Sequence, residues 1–214
     1  QEALHNLGAG VKPNLLKNAY FVGGGSQQGG EQFPINQQGQ TIYNSPGSIF
    51  DGWKIVGSGL SVSLEPDGIS LVWSASGILW QAFNNLSYFS GKTITMSVLV
   101  SQVNIGETNN IILRCRVNDS WENGSTGIKI TQNGLATFTF TVPESIQSLS
   151  FEIGADSGSC KFYAAKLEEG TEQTLAYQDE GGTWKLLPQP DSDYTTQLLK
   201  CQFPGPTGVQ DAIT

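Results

Sequence analysis

From Ser48 onward the chain alternates apolar and polar residues with a period of two. Ile94, Met96, Val98 and Val100 fall on one side of a run, with Thr93, Thr95, Ser97 and Ser101 on the other. Phe138, Phe140 and Val142 oppose Thr137, Thr139 and Thr141, and Leu149, Phe151 and Ile153 oppose Ser150, Glu152 and Gly154. Successive side chains of a strand point to opposite faces, so this is the signature of antiparallel sheets with one face on a core. With Gly, Asn, Asp and Pro as punctuation, the pattern predicts strands over Ser48–Val56, Leu60–Leu64, Ile69–Trp73, Ile78–Phe83, Thr93–Val100, Ile111–Val117, Thr126–Thr131, Ala136–Val142, Leu149–Ile153 and Cys160–Lys166. Many short strands at such spacing specify an all-β fold, an antiparallel β-sandwich of jelly-roll type.

The ends of the chain break this rhythm. Residues 1–13 read as a linker, with a short helix over Gln1–Leu7 ended by Gly8 and Gly10 and stopped by Pro13. The Gly- and Gln-rich stretch 23–40 reads as a long loop pinned by Phe33 and Ile35. The sandwich is expected over 14–178. Residues 179–214 then form a loop, a short helix over Tyr194–Lys200 capped by Asp191 or Ser192, and a tail.

Composition removes several classes of function. The chain has 214 residues with a net charge of −8, and an acidic chain does not neutralise phosphates, so no nucleic-acid partner is expected. No apolar run reaches the ~18 residues of a membrane span, and no signal peptide is visible. The single histidine, His5, would have to serve any Ser-His or Cys-His catalytic pair. Cys115, Cys160 and Cys201 are too scattered for a zinc site or a disulfide framework; the first two fall on apolar strand phases and read as buried thiols.

The residues best suited to chemistry are Arg114, Arg116, Asn118, Asp119, Trp121, Glu122 and Asn123. Sugar recognition needs an aromatic face for the ring and amides, carboxylates or guanidinium groups for its hydroxyls. Ile111, Leu113, Cys115 and Val117 take the core phase, which leaves Arg114 and Arg116 on the polar face next to a turn-rich loop holding Trp121. Trp121 either offers a platform or folds back as a plug. Trp80, with Asn84, Asn85, Tyr88 and Phe89, forms a second cluster, but its alternation with Ile78 and Ala82 assigns it to the core. Trp53 and Trp73 also read as core, and Trp184 as a latch for the tail. A glycoside hydrolase would need two carboxylates about 5–10 Å apart; Asp119, Glu122 and Glu152 are the candidates, and Glu152 reads more simply as an ion-pair partner of Arg114 or Arg116. A third reading is a structural spacer, trimerisation or capsid-decorating domain, with Thr137, Thr139 and Thr141 as a flat interface.

Several stretches carry a resemblance. The run NLLKNAYFVGGGSQQGGEQFPINQQGQTIY from Asn14, followed by FDGWKI, resembles the start of carbohydrate-binding-module-like domains in tail fibres and related appendages of bacteriophages and prophages. YAAKLEEGTEQTLA and DSDYTTQLLKCQ resemble their end, and ALHNLGAG is similar to linkers between fibre modules. Gly52 and Gln38 stand where that family usually has a basic residue, so no role of those residues carries over. The resemblance implies a non-catalytic β-sandwich on a virion surface, extracellular and often homotrimeric, that contacts bacterial cell-surface glycan beside other fibre subunits. It also implies that the first and last strands are neighbours. Asn14, Asn18 and Glu168 would then approach each other, where related sandwiches hold a structural Ca²⁺; otherwise the asparagines cap turns and Glu168 is solvated.

Overall fold

The computed structural model describes residues 10–21, 40–107, 111–118, 125–189 and 194–202. Two six-stranded sheets face each other across one core, and every strand pair is antiparallel. Sheet A runs β1 (Ile42–Tyr43), β4 (Leu60–Glu65), β5 (Gly68–Trp73), β12 (Gly158–Glu169), β7 (Thr93–Asn104), β10 (Gly134–Thr141). Sheet B runs β2 (Gly47–Ser48), β3 (Lys54–Val56), β6 (Gly77–Ala82), β11 (Leu149–Ala155), β8 (Ile112–Val117), β9 (Ser125–Lys129). This is the antiparallel jelly-roll sandwich that the period-two pattern specifies.

The core is the apolar phase of the alternating runs. Ile94, Met96 and Val98 of β7 meet Leu113, Cys115, Phe151 and Ile153 of sheet B. At its centre Trp53 packs edge-on to Phe21 and Phe151, with ring centroids 5.6 and 5.8 Å apart. Cys115 and Cys160 are buried free thiols, and burial pushes Cys160 up to about 12. No Cys115–Cys160 bridge exists.

One predicted strand is in fact two. Ser48–Val56 divides into β2 and β3 because the chain reverses at Asp51–Gly52, where Gly52 has φ +88° and Trp53 N–H donates to Phe50 O at 2.9 Å. Asp-Gly is a strong hairpin signal, since glycine takes positive φ without a Cβ clash.

The N-terminal segment lies along β12. Leu15 N–H donates to Leu167 O, Ala165 N–H to Ala19 O and Phe21 N–H to Tyr163 O, each at 2.8 Å. Asn14 is the pin: its Nδ2 donates to Ala165 O at 2.8 Å, and its Oδ1 accepts from Leu16 and Leu167 N–H at 3.0 and 3.1 Å. These groups are buried, and an unsatisfied buried backbone group costs ~1–3 kcal/mol. Asn14→Ala is therefore expected to lower unfolding free energy by about 3 kcal/mol, read as a shifted urea midpoint at unchanged slope.

A third layer covers the outer face of sheet A. The hairpin β13 (Ala176–Gln178) and β14 (Trp184–Leu186), with helix α2 (Tyr194–Gln202), packs Leu175, Ala176, Trp184, Leu198 and Cys201 against Tyr20, Leu99 and Ala164. Trp184 thus ties the C-terminal region to the sandwich. The hairpin is too short to show in the apolar pattern. Thr137, Thr139 and Thr141 are exposed, and their hydroxyls meet Ser97, Thr95 and Thr93 across the β7–β10 ladder at 3.0, 2.7 and 3.1 Å. Helix α1 (Leu86–Phe89) is a single turn between β6 and β7.

Candidate functional site

The outer face of sheet B is built by pairing register. One row runs Lys54–Trp80–Glu152–Arg114–Gly127 across β3, β6, β11, β8 and β9. The next row runs Val56–Ile78–Gly154–Ile112–Lys129. On the opposite side of the first row, Ala82, Ser150 and Arg116 line up in the same way.

Trp80 belongs to this face and not to the core. Leu79 and Gln81 take the inward phase and are buried, while Trp80 is half-buried, with Lys54 Nζ 5.6 Å from its ring centroid. The alternation of Ile78, Trp80 and Ala82 is real, but its sign is reversed relative to the sequence expectation. The three apolar residues point out because Gln81 is drawn inward: its Oε1 accepts from Lys17 N–H at 2.8 Å, and its Nε2 donates to Lys17 O at 3.0 Å.

Both arginines of the chain converge on one carboxylate. Glu152 is fully buried; Arg114 Nε lies 2.7 Å from its Oε2 and an Arg116 terminal nitrogen 3.8 Å from its Oε1. Ser150 Oγ donates to the same Oε1 at 2.9 Å. The pairing leaves both arginine side chains largely buried, 13% and 19% exposed. Asn118, just past β8, has φ +56° and accepts from Gln147 N–H at Oδ1. Asparagine tolerates this left-handed geometry, so Asn118 turns the chain at the end of β8. Asp119, Trp121 and Glu122 lie outside the described residues.

Beyond Trp80 the face opens into a cleft of about 230 Å³, lined by Ile78, Ile112, Arg114, Gly154 and Asp156. Gly154 is its floor: a Cβ there would come within 3.1 Å of Ile78 Cγ1.

The remaining candidates lie elsewhere. Asn14 reaches β12 as described, whereas Asn18 donates to Asp51 O at 2.9 Å beside Trp53. Glu168 is buried on the other face of β12, accepts from Thr174 N–H at 2.7 Å and lies 3.7 Å from Lys166 Nζ. The set does not suit Ca²⁺. The Asn14 oxygen already accepts two N–H groups, an ammonium sits beside the one carboxylate, and Ca²⁺ takes six to eight oxygens. No group of three His, Cys, Asp or Glu that could hold a metal ion occurs among the described residues. In the second aromatic cluster, Phe89 is core, while Tyr88 is half-buried with Lys92 Nζ 3.6 Å from its ring centroid. Lys92 also pairs with Glu169 at 2.8 Å, which holds that carboxyl below its ordinary value and raises Lys92.

No protein-family model matches the chain, and no curated protein matches it. Among solved structures it is similar to the C-terminal family 22 carbohydrate-binding module of Clostridium thermocellum Xyn10B, at 12% identity over 57% of this chain and 89% of that one, with a TM-score of 0.40. It is similar to the xylan-binding module CBM15 at 14% identity, over 63% of this chain and 100% of that one, with a TM-score of 0.37. It is similar also to the enzymatically active domain of tailspike protein 4 of bacteriophage CBA120, at 13% identity and a TM-score of 0.39; the match covers 56% of this chain but only 19% of that one. Likeness at this level carries no functional weight, which rests on the face itself.

Proposed function

We propose that this chain is a non-catalytic glycan-binding module, and that its ligand lies across the outer face of sheet B. The observation that carries the reading is Trp80: a half-buried indole on an open sheet face, next to an ordered Arg–Glu–Arg cluster and a glycine-floored cleft. An indole face stacks on the apolar side of a pyranose, and fixed guanidinium groups hydrogen-bond its hydroxyls. Trp121, Asp119 and Glu122, which lie between β8 and β9 in sequence, complete the site in this proposal. Glu152 serves by holding the arginines, its oxygens engaged by them and by Ser150.

The motif resemblance at the two ends supports the wider role. The module belongs to a phage or prophage tail-fibre-like receptor-binding protein, exposed on the virion and engaging bacterial surface polysaccharide as a homotrimer. Each shallow site binds weakly, and repeated copies raise avidity by orders of magnitude.

A glycan array run on the purified protein, with its oligomeric state measured beside it, tests this. Signal from an oligomer is expected, and a stable oligomer silent on every glycan would leave a spacer domain. Trp121→Ala is expected to abolish retention at unchanged melting temperature; unfolding would make Trp121 a core plug. Released products on thin-layer chromatography of incubated cell-wall glycans would overturn the non-catalytic reading.

A further inference from the structure

We infer that the glycan carried on sheet B is anionic, a polysaccharide bearing carboxylate or phosphodiester groups; the inference rests on the proposed glycan-binding reading and names its ligand class. The strands of sheet B turn Lys54, Arg114, Arg116, Lys129 and Glu152 to the outer face. Asp156 joins them at the rim of the cleft. The two arginines are balanced by the two carboxylates, so the surplus charge is that of Lys54 and Lys129. Neither lysine has an ion pair or a hydrogen bond among the described residues; Lys54 Nζ instead stands 5.6 Å from the Trp80 ring centroid. Sheet A treats its lysines differently. Lys161 lies 2.7 Å from Glu65, Lys166 lies 3.7 Å from Glu168, and Lys92, just before β7, lies 2.8 Å from Glu169.

The two unpaired lysines bracket the proposed binding surface. Lys54 stands beside Trp80 on β3. Lys129, exposed on the edge strand β9, shares a row with Ile78, Gly154 and Ile112. Four strand spacings separate the two, roughly 20 Å at about 4.8 Å each. A saccharide laid across the strands over Trp80 therefore finds a cation towards each end, which matches a charged chain and not a single charged sugar. Asp119 and Glu122 follow Asn118 in sequence, and strand geometry puts Asn118 roughly 20 Å from each lysine. The net charge of −8 repels a polyanion from the chain as a whole, and this face is where the repulsion is locally reversed. A neutral glycan offers neither ammonium a counter-charge.

Calorimetric titration of the protein with tetragalacturonate, poly(glycerol phosphate) and cellotetraose decides the matter. At least one anionic probe is expected to bind about tenfold or more tightly than cellotetraose at about 0.1 M salt. Most of that advantage should vanish at about 1 M, where the Debye length falls from ~10 to ~3 Å. Which anionic probe binds separates carboxylate from phosphodiester. Lys54→Gln and Lys129→Gln should each weaken that binding about three- to fivefold, and the double variant about tenfold or more. Lys185→Gln removes the same charge from the exposed C-terminal hairpin and should change nothing. Cellotetraose binding as tightly as both anionic probes, or an anionic preference that withstands the higher salt, overturns the inference. So do lysine variants that bind like Lys185→Gln, which would leave Lys54 and Lys129 as charges that blunt strand pairing near the sheet edges. Binding of neutral glycans alone overturns it but spares the glycan reading, whereas silence towards every glycan overturns both.

Discussion

Trp80→Ala is expected to weaken polysaccharide binding by about 30-fold or more, the effect of losing an aromatic hot spot worth ~2 kcal/mol. The fold should be nearly indifferent. Trp80 lies outside the core, its neighbours Leu79 and Ile153 keep their burial, and no buried polar group is left behind. A melting temperature within about 4 °C of the parent is expected, the scale of 1 kcal/mol or less in a domain of this size. Affinity electrophoresis in polysaccharide-containing gels, with a thermal melt in parallel, reads both quantities. Unchanged retention would remove sheet B as the binding face. Trp80→Phe should recover part of the affinity, because a smaller ring still stacks; recovery by Trp80→Leu to the same extent would point to simple apolar packing.

Lys166→Ala is the second large effect, and it falls on stability. Lys166 and Glu168 are both fully buried under the C-terminal hairpin. Lys166 Nζ donates to Thr174 Oγ1 at 2.8 Å, to Gln189 Oε1 at 2.7 Å and to Thr174 O at 3.2 Å. Removing the ammonium leaves the Glu168 carboxylate buried without its ion partner. Breaking a buried pair from one side costs about 3–5 kcal/mol, and the lost bonds are those that seat residues 174–189. Urea denaturation should show the loss, and limited proteolysis should cut the hairpin first. The double change Lys166→Met with Glu168→Gln should cost less than Lys166→Ala alone, because no charge is then stranded. A single-variant loss under about 1 kcal/mol would show that water reaches the pair.

The fold is legible because burial is written in the parity of each strand. Met96, Phe151 and Leu113 fall on the inward phase with no exception in their runs. Parity alone does not say which of two apolar-looking phases is inward, and β6 is where this matters. Ile78–Leu79–Trp80–Gln81–Ala82 is apolar on the even phase, yet the odd phase enters the core, since Gln81 finds backbone partners at Lys17, 64 positions away in sequence. The pairing that settles it, Glu152 opposite Trp80 on one face, is a matter of register, which is visible only in the structure. The meeting of Arg114, Arg116 and Glu152 was readable, as all three are on polar phases. Residues 174–189 were not readable as a layer, because their seat on sheet A depends on Lys166 and Glu168, charges that sequence reasoning places in water.

Residues 14–21 and the hairpin both take hold of β12, the first by main-chain ladder bonds to Tyr163, Ala165 and Leu167, the second through Lys166 and Glu168. Tension along the backbone at either segment is thus carried in shear within sheet A. Sheet B, across the core, lies off that line of force, so a surface that grips its ligand there would keep its shape while the chain is under load.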